Sequence, residues 1–162
     1  MIIGISTATF TLAHVSISLV GILAGFVVLA AMIANRWARG WNGLFLVTTV
    51  ATSVTGFMFH SAFGPPHVIG VISLAVLAVA LVALYAKVLQ GWWRVVYVVT
   101  ATLALYLNFF VGVVQAFQKI PALQIMAPTQ AEPPFLIAQT TVMIAFIALG
   151  YFSVRRFRSI QL

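Results

Sequence analysis

The feature that most constrains this chain is a succession of apolar runs too long for ordinary core helices and almost free of charge. Of 162 residues, 64% are hydrophobic and only 6% are charged. A soluble domain needs about 25% charged residues to keep its surface wet. Lipid is therefore the better solvent for most of this surface, and a hydrocarbon core of about 30 Å is crossed by about 20 helical residues. Five runs meet that length, over residues 9–34, 44–60, 66–86, 95–117 and 134–154. Inside a bilayer the backbone must satisfy its own hydrogen bonds, which leaves helices as the spanning element here. The expected fold is an all-α integral membrane bundle of five transmembrane helices, one domain over residues 1–162. The first run has no basic residue before it and exceeds a signal-peptide core in length, so it is expected to stay as a helix.

The basic residues fall between the runs. Arg36 and Arg39 follow the first, Lys87 and Arg94 lie between the third and fourth, and Arg155, Arg156 and Arg158 follow the fifth. Lys119 and the only acid, Glu132, belong to the other side. The positive-inside rule then places the N-terminus outside and the C-terminus in the cytoplasm. Trp37, Trp41, Trp92 and Trp93 fall at the cytoplasmic interface, where indole rings are favoured. The net charge of +7 is thus a matter of topology, and no continuous basic face points to nucleic acid.

Several chemistries are excluded by composition. There is no cysteine, so thiol catalysis, disulfides and cysteine-ligated metals fall away. A single acid cannot supply a carboxylate pair, and without aspartate there is no Ser-His-Asp triad. No reaction is legible in the sequence.

What polarity there is gathers around one stretch, Phe57-Met58-Phe59-His60-Ser61-Ala62-Phe63-Gly64-Pro65-Pro66-His67, which joins the second and third runs on the outer side. On the first run Thr7, Thr11, His14, Ser18, Gly21 and Gly25 recur at helical spacing and form one stripe. Gly21 and Gly25 make a small-xxx-small pair, read as helix packing. A second stripe comprises Thr49, Ser53, Gly56 and His60, and a third Tyr97, Ala101, Ala104, Asn108, Gly112 and Gln115. Threading the runs through a bilayer brings His14, His60, His67, Asn108 and Gln115 to the outer part of the bundle. Ionisable groups within a membrane are costly and usually functional.

Three ligands suit such a cluster. His14, His60 and His67 could hold a metal, since imidazole accepts copper, zinc or iron. Two of the histidines could ligate haem b from facing helices. The histidines with Asn108 and Gln115 could hydrogen-bond a quinone between walls of Phe57, Phe59, Phe63, Phe109 and Phe110. The leading reading is a small membrane protein, alone or as a subunit, binding a redox-active ligand in this pocket, which implies electron transport. The competing reading is an accessory or assembly subunit with no ligand, its polar stripes acting as packing contacts. Partners implied are the lipid bilayer and a second copy or a larger membrane complex.

The stretch from Tyr97 through Leu105-Tyr106-Leu107-Asn108 to Gln115-Ala116-Phe117-Gln118-Lys119-Ile120-Pro121-Ala122-Leu123 carries a resemblance, as does Ala127-Pro128-Thr129-Gln130-Ala131-Glu132-Pro133-Pro134-Phe135. The chain resembles, mainly over residues 95–160, an uncharacterised family of small polytopic bacterial inner-membrane proteins. The resemblance implies a multi-pass protein of the bacterial cytoplasmic membrane and brings no activity. It directs attention to Asn108, Gln115, Lys119 and Glu132.

Overall fold

The structure, a computed structural model, describes residues 4–59 and 64–158. Among the described residues the chain is helical: α1 Thr7–Ile33, α2 Arg39–Gly56, α3 Pro65–Leu81, α4 Trp93–Lys119, the short α5 Pro121–Met126 and α6 Pro133–Arg156. A π-helical turn, Val82–Ala86, extends α3. Ser6 caps α1 by accepting a hydrogen bond from the Thr9 amide, and prolines open α3, α5 and α6, where a missing N–H costs nothing.

Four of these elements, α1, α3 with its π turn, α4 and α6, are long and apolar enough to cross a membrane. The expectation of five apolar spans is met at four. The exception is α2, which begins earlier than residue 44 and so takes Arg39 and Asn42 into its first turn. Its expected final residue, His60, lies outside the described residues.

The five long helices form a closed ring in the order α1, α2, α3, α4, α6, with α4 also touching α1 across it. Burial is concentrated toward the end of the bundle where the basic residues gather. Val28, Leu29 and Met32 of α1, Phe45 and Leu46 of α2, Leu77 of α3 and Val98 and Leu105 of α4 are nearly inaccessible there. At the opposite end of α1 only Phe10 is buried.

The basic end is also tied by polar contacts. The Tyr97 hydroxyl donates to Asn42 Oδ1, both residues being buried. Arg94 donates through Nη1 to the carbonyls of Val154 and Phe157, satisfying backbone that the end of α6 leaves open. Trp37 packs on Tyr97 and Phe157, with ring centroids 5.9 and 6.0 Å apart. At the other end α5 folds over α4 and α6: Phe117 and Phe135 stack edge to face at 5.3 Å, with Ala127 buried beside them. Leu123 packs against this cluster, while Ile125 is 82% exposed.

Candidate functional site

The polar stripe of α1 faces α2, and the two helices pair in antiparallel register. Gly25 meets Phe45, Gly21 meets Thr48 and Thr49, Ser18 meets Thr52, His14 meets Thr55, and Phe10 meets Phe59. A Cβ on Gly25 would stand 2.5 Å from Leu105 Cδ1 and 3.0 Å from Phe45 Cδ2. That glycine exists for close approach, as the packing reading of the small-xxx-small pair requires.

Higher on the same seam, His14 Nδ1 and Thr55 Oγ1 are 2.8 Å apart. The Thr55 hydroxyl lies 2.7 Å from the Ala51 carbonyl and 3.3 Å from that of Thr52, both of which can take its proton. With the Thr55 proton directed at a carbonyl, Oγ1 accepts from the imidazole, which is the tautomer with the His14 proton on Nδ1 and the lone pair on Nε2. The Phe59 ring stands edge-on to the imidazole at 5.0 Å, and His14 is half-buried. Thr52 and Thr55 were not among the expected site residues. Their signal was present as the helical series Phe45, Thr48, Thr52, Thr55 and Phe59, but it was masked by the parallel series ending at His60.

His67 is set in the opposite sense. It is buried at the start of α3, where its Nδ1 accepts the Gly64 amide at 3.1 Å and its ring lies 5.5 Å from that of Phe57. The proton of the neutral ring is thereby on Nε2. With one nitrogen accepting a backbone N–H and the other protonated, this imidazole offers no lone pair to a metal. His60 lies outside the described residues, and among the described residues no three His, Cys, Asp or Glu side chains group as a metal site.

Asn108 is not with the histidines. Its Nδ2 approaches Gly21, 3.5 Å from where a Cβ would be, alongside Thr48 and Thr49 Oγ1. Gly21 is two helical turns below His14, about 10 Å along the axis. The expected place of Asn108 beside the histidines is replaced by one at the level of Gly21, midway along α1. Asn108 Nδ2 is buried with no hydrogen-bond partner among the described residues. Gln115 is exposed. It continues the Asn108 stripe, but beyond Gly112, whose nearest neighbour is the tip of Ile22 at 3.9 Å, that face of α4 has left its partner. Gln139 ties α6 to α4 instead, donating through Nε2 to the Phe110 carbonyl at 3.3 Å while its Oε1 is buried and unpartnered.

Of the five expected pocket residues, the four that are described lie apart. His14 and His67 share one end of the bundle, each against its own phenylalanine, Asn108 sits deeper, and Gln115 faces away. Phe109 belongs with Phe26 and Phe146 rather than with the histidines. What the arrangement offers chemically is one half-buried imidazole, hydrogen-bonded at Nδ1 to Thr55, with Nε2 left for a ligand.

No protein-family model, no curated protein and no solved structure matches the chain.

Proposed function

We propose that this chain is a five-span protein of the bacterial inner membrane, N-terminus outside and C-terminus cytoplasmic, that holds a lipophilic, hydroxyl-bearing ligand of the quinol class against His14. Support for the fifth crossing comes from the register of α2 on α1, which carries it from Gly25 back to the level of Phe10. The orientation follows from the basic residues, which favour the cytoplasmic side.

The observation that carries the ligand reading is the Thr55 contact. It leaves His14 Nε2 as an acceptor in an apolar setting, suited to a ligand O–H. Haem or a metal bridged between His14 and His67 is less well supported, because His67 Nδ1 already accepts the Gly64 amide. Titrating a short-chain quinol into the protein in lipid nanodiscs tests the reading. Saturable one-to-one binding is expected, lost in His14→Phe and weakened about fivefold in Thr55→Val, the loss of one hydrogen bond of about 1 kcal/mol. Absence of saturable binding, or equal binding by His14→Phe, overturns it.

One observation favours the accessory-subunit reading. The α1–α2 seam satisfies most of its hydroxyls internally and closes tightly at Gly25, as packing contacts do. On that reading His14→Phe changes stability alone.

A further inference from the structure

Among the described residues the arginines at the basic end have no carboxylate to meet. The only acid in the chain is Glu132, and its oxygens already accept from Thr129 and Ala131 at the opposite end. That leaves them open to an anion from outside the chain. Beside these arginines opens an apolar groove of about 460 Å³ between α4 and α6. One edge runs from Val95 to Tyr106 and the other from Met143 to Val154.

Two features set what the groove can take. Each edge spans twelve residues, about 16 Å at the helical rise. That is half of a hydrocarbon core of about 30 Å, the depth of one leaflet. The groove ends where Tyr106 packs between Phe110 and Phe146, with ring centroids 6.0 and 5.7 Å away. A partner transmembrane helix would need a track across the whole bilayer, whereas an acyl chain needs only this one. The mouth is basic: Arg155 lies over the Tyr151 ring at 5.7 Å, and Tyr151 lines the groove. Arg94, next to Val95, commits Nη1 to the carbonyls of Val154 and Phe157, and a guanidinium has further donors beyond that nitrogen.

We propose that this groove holds one acyl chain of an anionic phospholipid from the leaflet at the basic end, with its phosphate met by Arg155 and Arg94. The site is separate from His14 and stands whether or not a quinol binds there. Arginine suits it because its fork of donors matches phosphate geometry, and basic recesses between membrane helices are a general way of holding anionic head groups.

Native mass spectrometry of the protein released from nanodiscs of mixed phosphatidylglycerol and phosphatidylcholine tests this. One phosphatidylglycerol should be retained in preference to phosphatidylcholine by about tenfold or more, given about 1 kcal/mol per basic contact. Arg155→Gln should reduce that preference several-fold. Leu103→Trp, which fills the groove from an accessible position, should displace the lipid with the charges intact. Arg36→Gln, at the same end but outside the groove, should change neither. Equal retention of the two lipids, equal loss in Arg36→Gln and Arg155→Gln, or undiminished retention in Leu103→Trp overturns the proposal. So does a dimer that protects the α4–α6 face from lipid.

Discussion

Tyr97 and Asn42, 55 residues apart, are both buried, and the phenol donates its hydrogen bond to the carboxamide oxygen. Tyr97 has Trp37 across its ring, so the turn after α1, the start of α2 and the start of α4 are held at one point. Tyr97→Phe leaves the Asn42 oxygen without its donor and should destabilise the protein by about 1–3 kcal/mol. Asn42→Leu in that background should recover part of the loss, since an apolar pair has no unmet demand. Thermal unfolding in a mild detergent, run as a double-mutant cycle, reads the coupling.

The approach of α1 to α4 at Gly25 leaves no room for a side chain. Gly25→Val is expected to cost about 1–3 kcal/mol through overpacking against the buried Leu105. Leu105→Ala added to it should restore part of that stability, whereas Leu105→Ala alone should destabilise by leaving a cavity. Equal melting temperatures for wild type and Gly25→Val would show that the helices separate freely there.

Val88 follows the π turn with φ of 48°, a left-handed conformation that a β-branched residue rarely adopts. Its neighbour Leu89 shares that conformation and is buried, which holds the pair in place. Val88→Asn should stabilise the protein by about 1 kcal/mol, because asparagine tolerates left-handed backbone. Lowered stability in this exposed variant would mean that the valine side chain contributes packing.

Asn108 offers a sharper discrimination. Its buried Nδ2 has no partner, so Asn108→Leu should leave stability unchanged or raise it by about 1 kcal/mol. A clear loss of stability would instead identify the amide as a contact between α1, α2 and α4.

Outside the spans, Glu132 folds its carboxylate back onto the preceding turn. It accepts from the Thr129 hydroxyl at 2.7 Å and from the Thr129 and Ala131 amides at 3.1 Å. These bonds, the hydroxyl first, hold its carboxyl below the usual glutamate value. A carboxyl with a depressed folded value stabilises fully above its unfolded value and loses that contribution as pH falls through the folded one. Hydrogen exchange at the Thr129 and Ala131 amides should therefore be slow at neutral pH and accelerate, relative to its intrinsic rate, on the acid side of the ordinary carboxylate range. Glu132→Gln should exchange without that pH dependence.

The sequence by itself determined the solvent and the element type. Runs such as 9–34 and 95–117 are apolar over a bilayer's depth, and hydrocarbon admits few alternatives to a helix. It also determined which face of α1 would meet a neighbour, because His14, Ser18, Gly21 and Gly25 repeat at the helical period and gather on one stripe. Tertiary structure alone decided the partners along that face. The pairing of His14 with Thr55 depends on how far α2 slides along α1, and the close contact of Gly25 with Phe45 and Leu105 fixes that slide. It also decided which polar groups meet. Asn108 and Gln115 lie on one stripe of α4, yet the amide nitrogen of the first is buried and the second is exposed, because α1 meets that stripe closely at Gly21 and only loosely at Gly112. Periodicity reports direction around an axis, while depth and register are set by packing between helices.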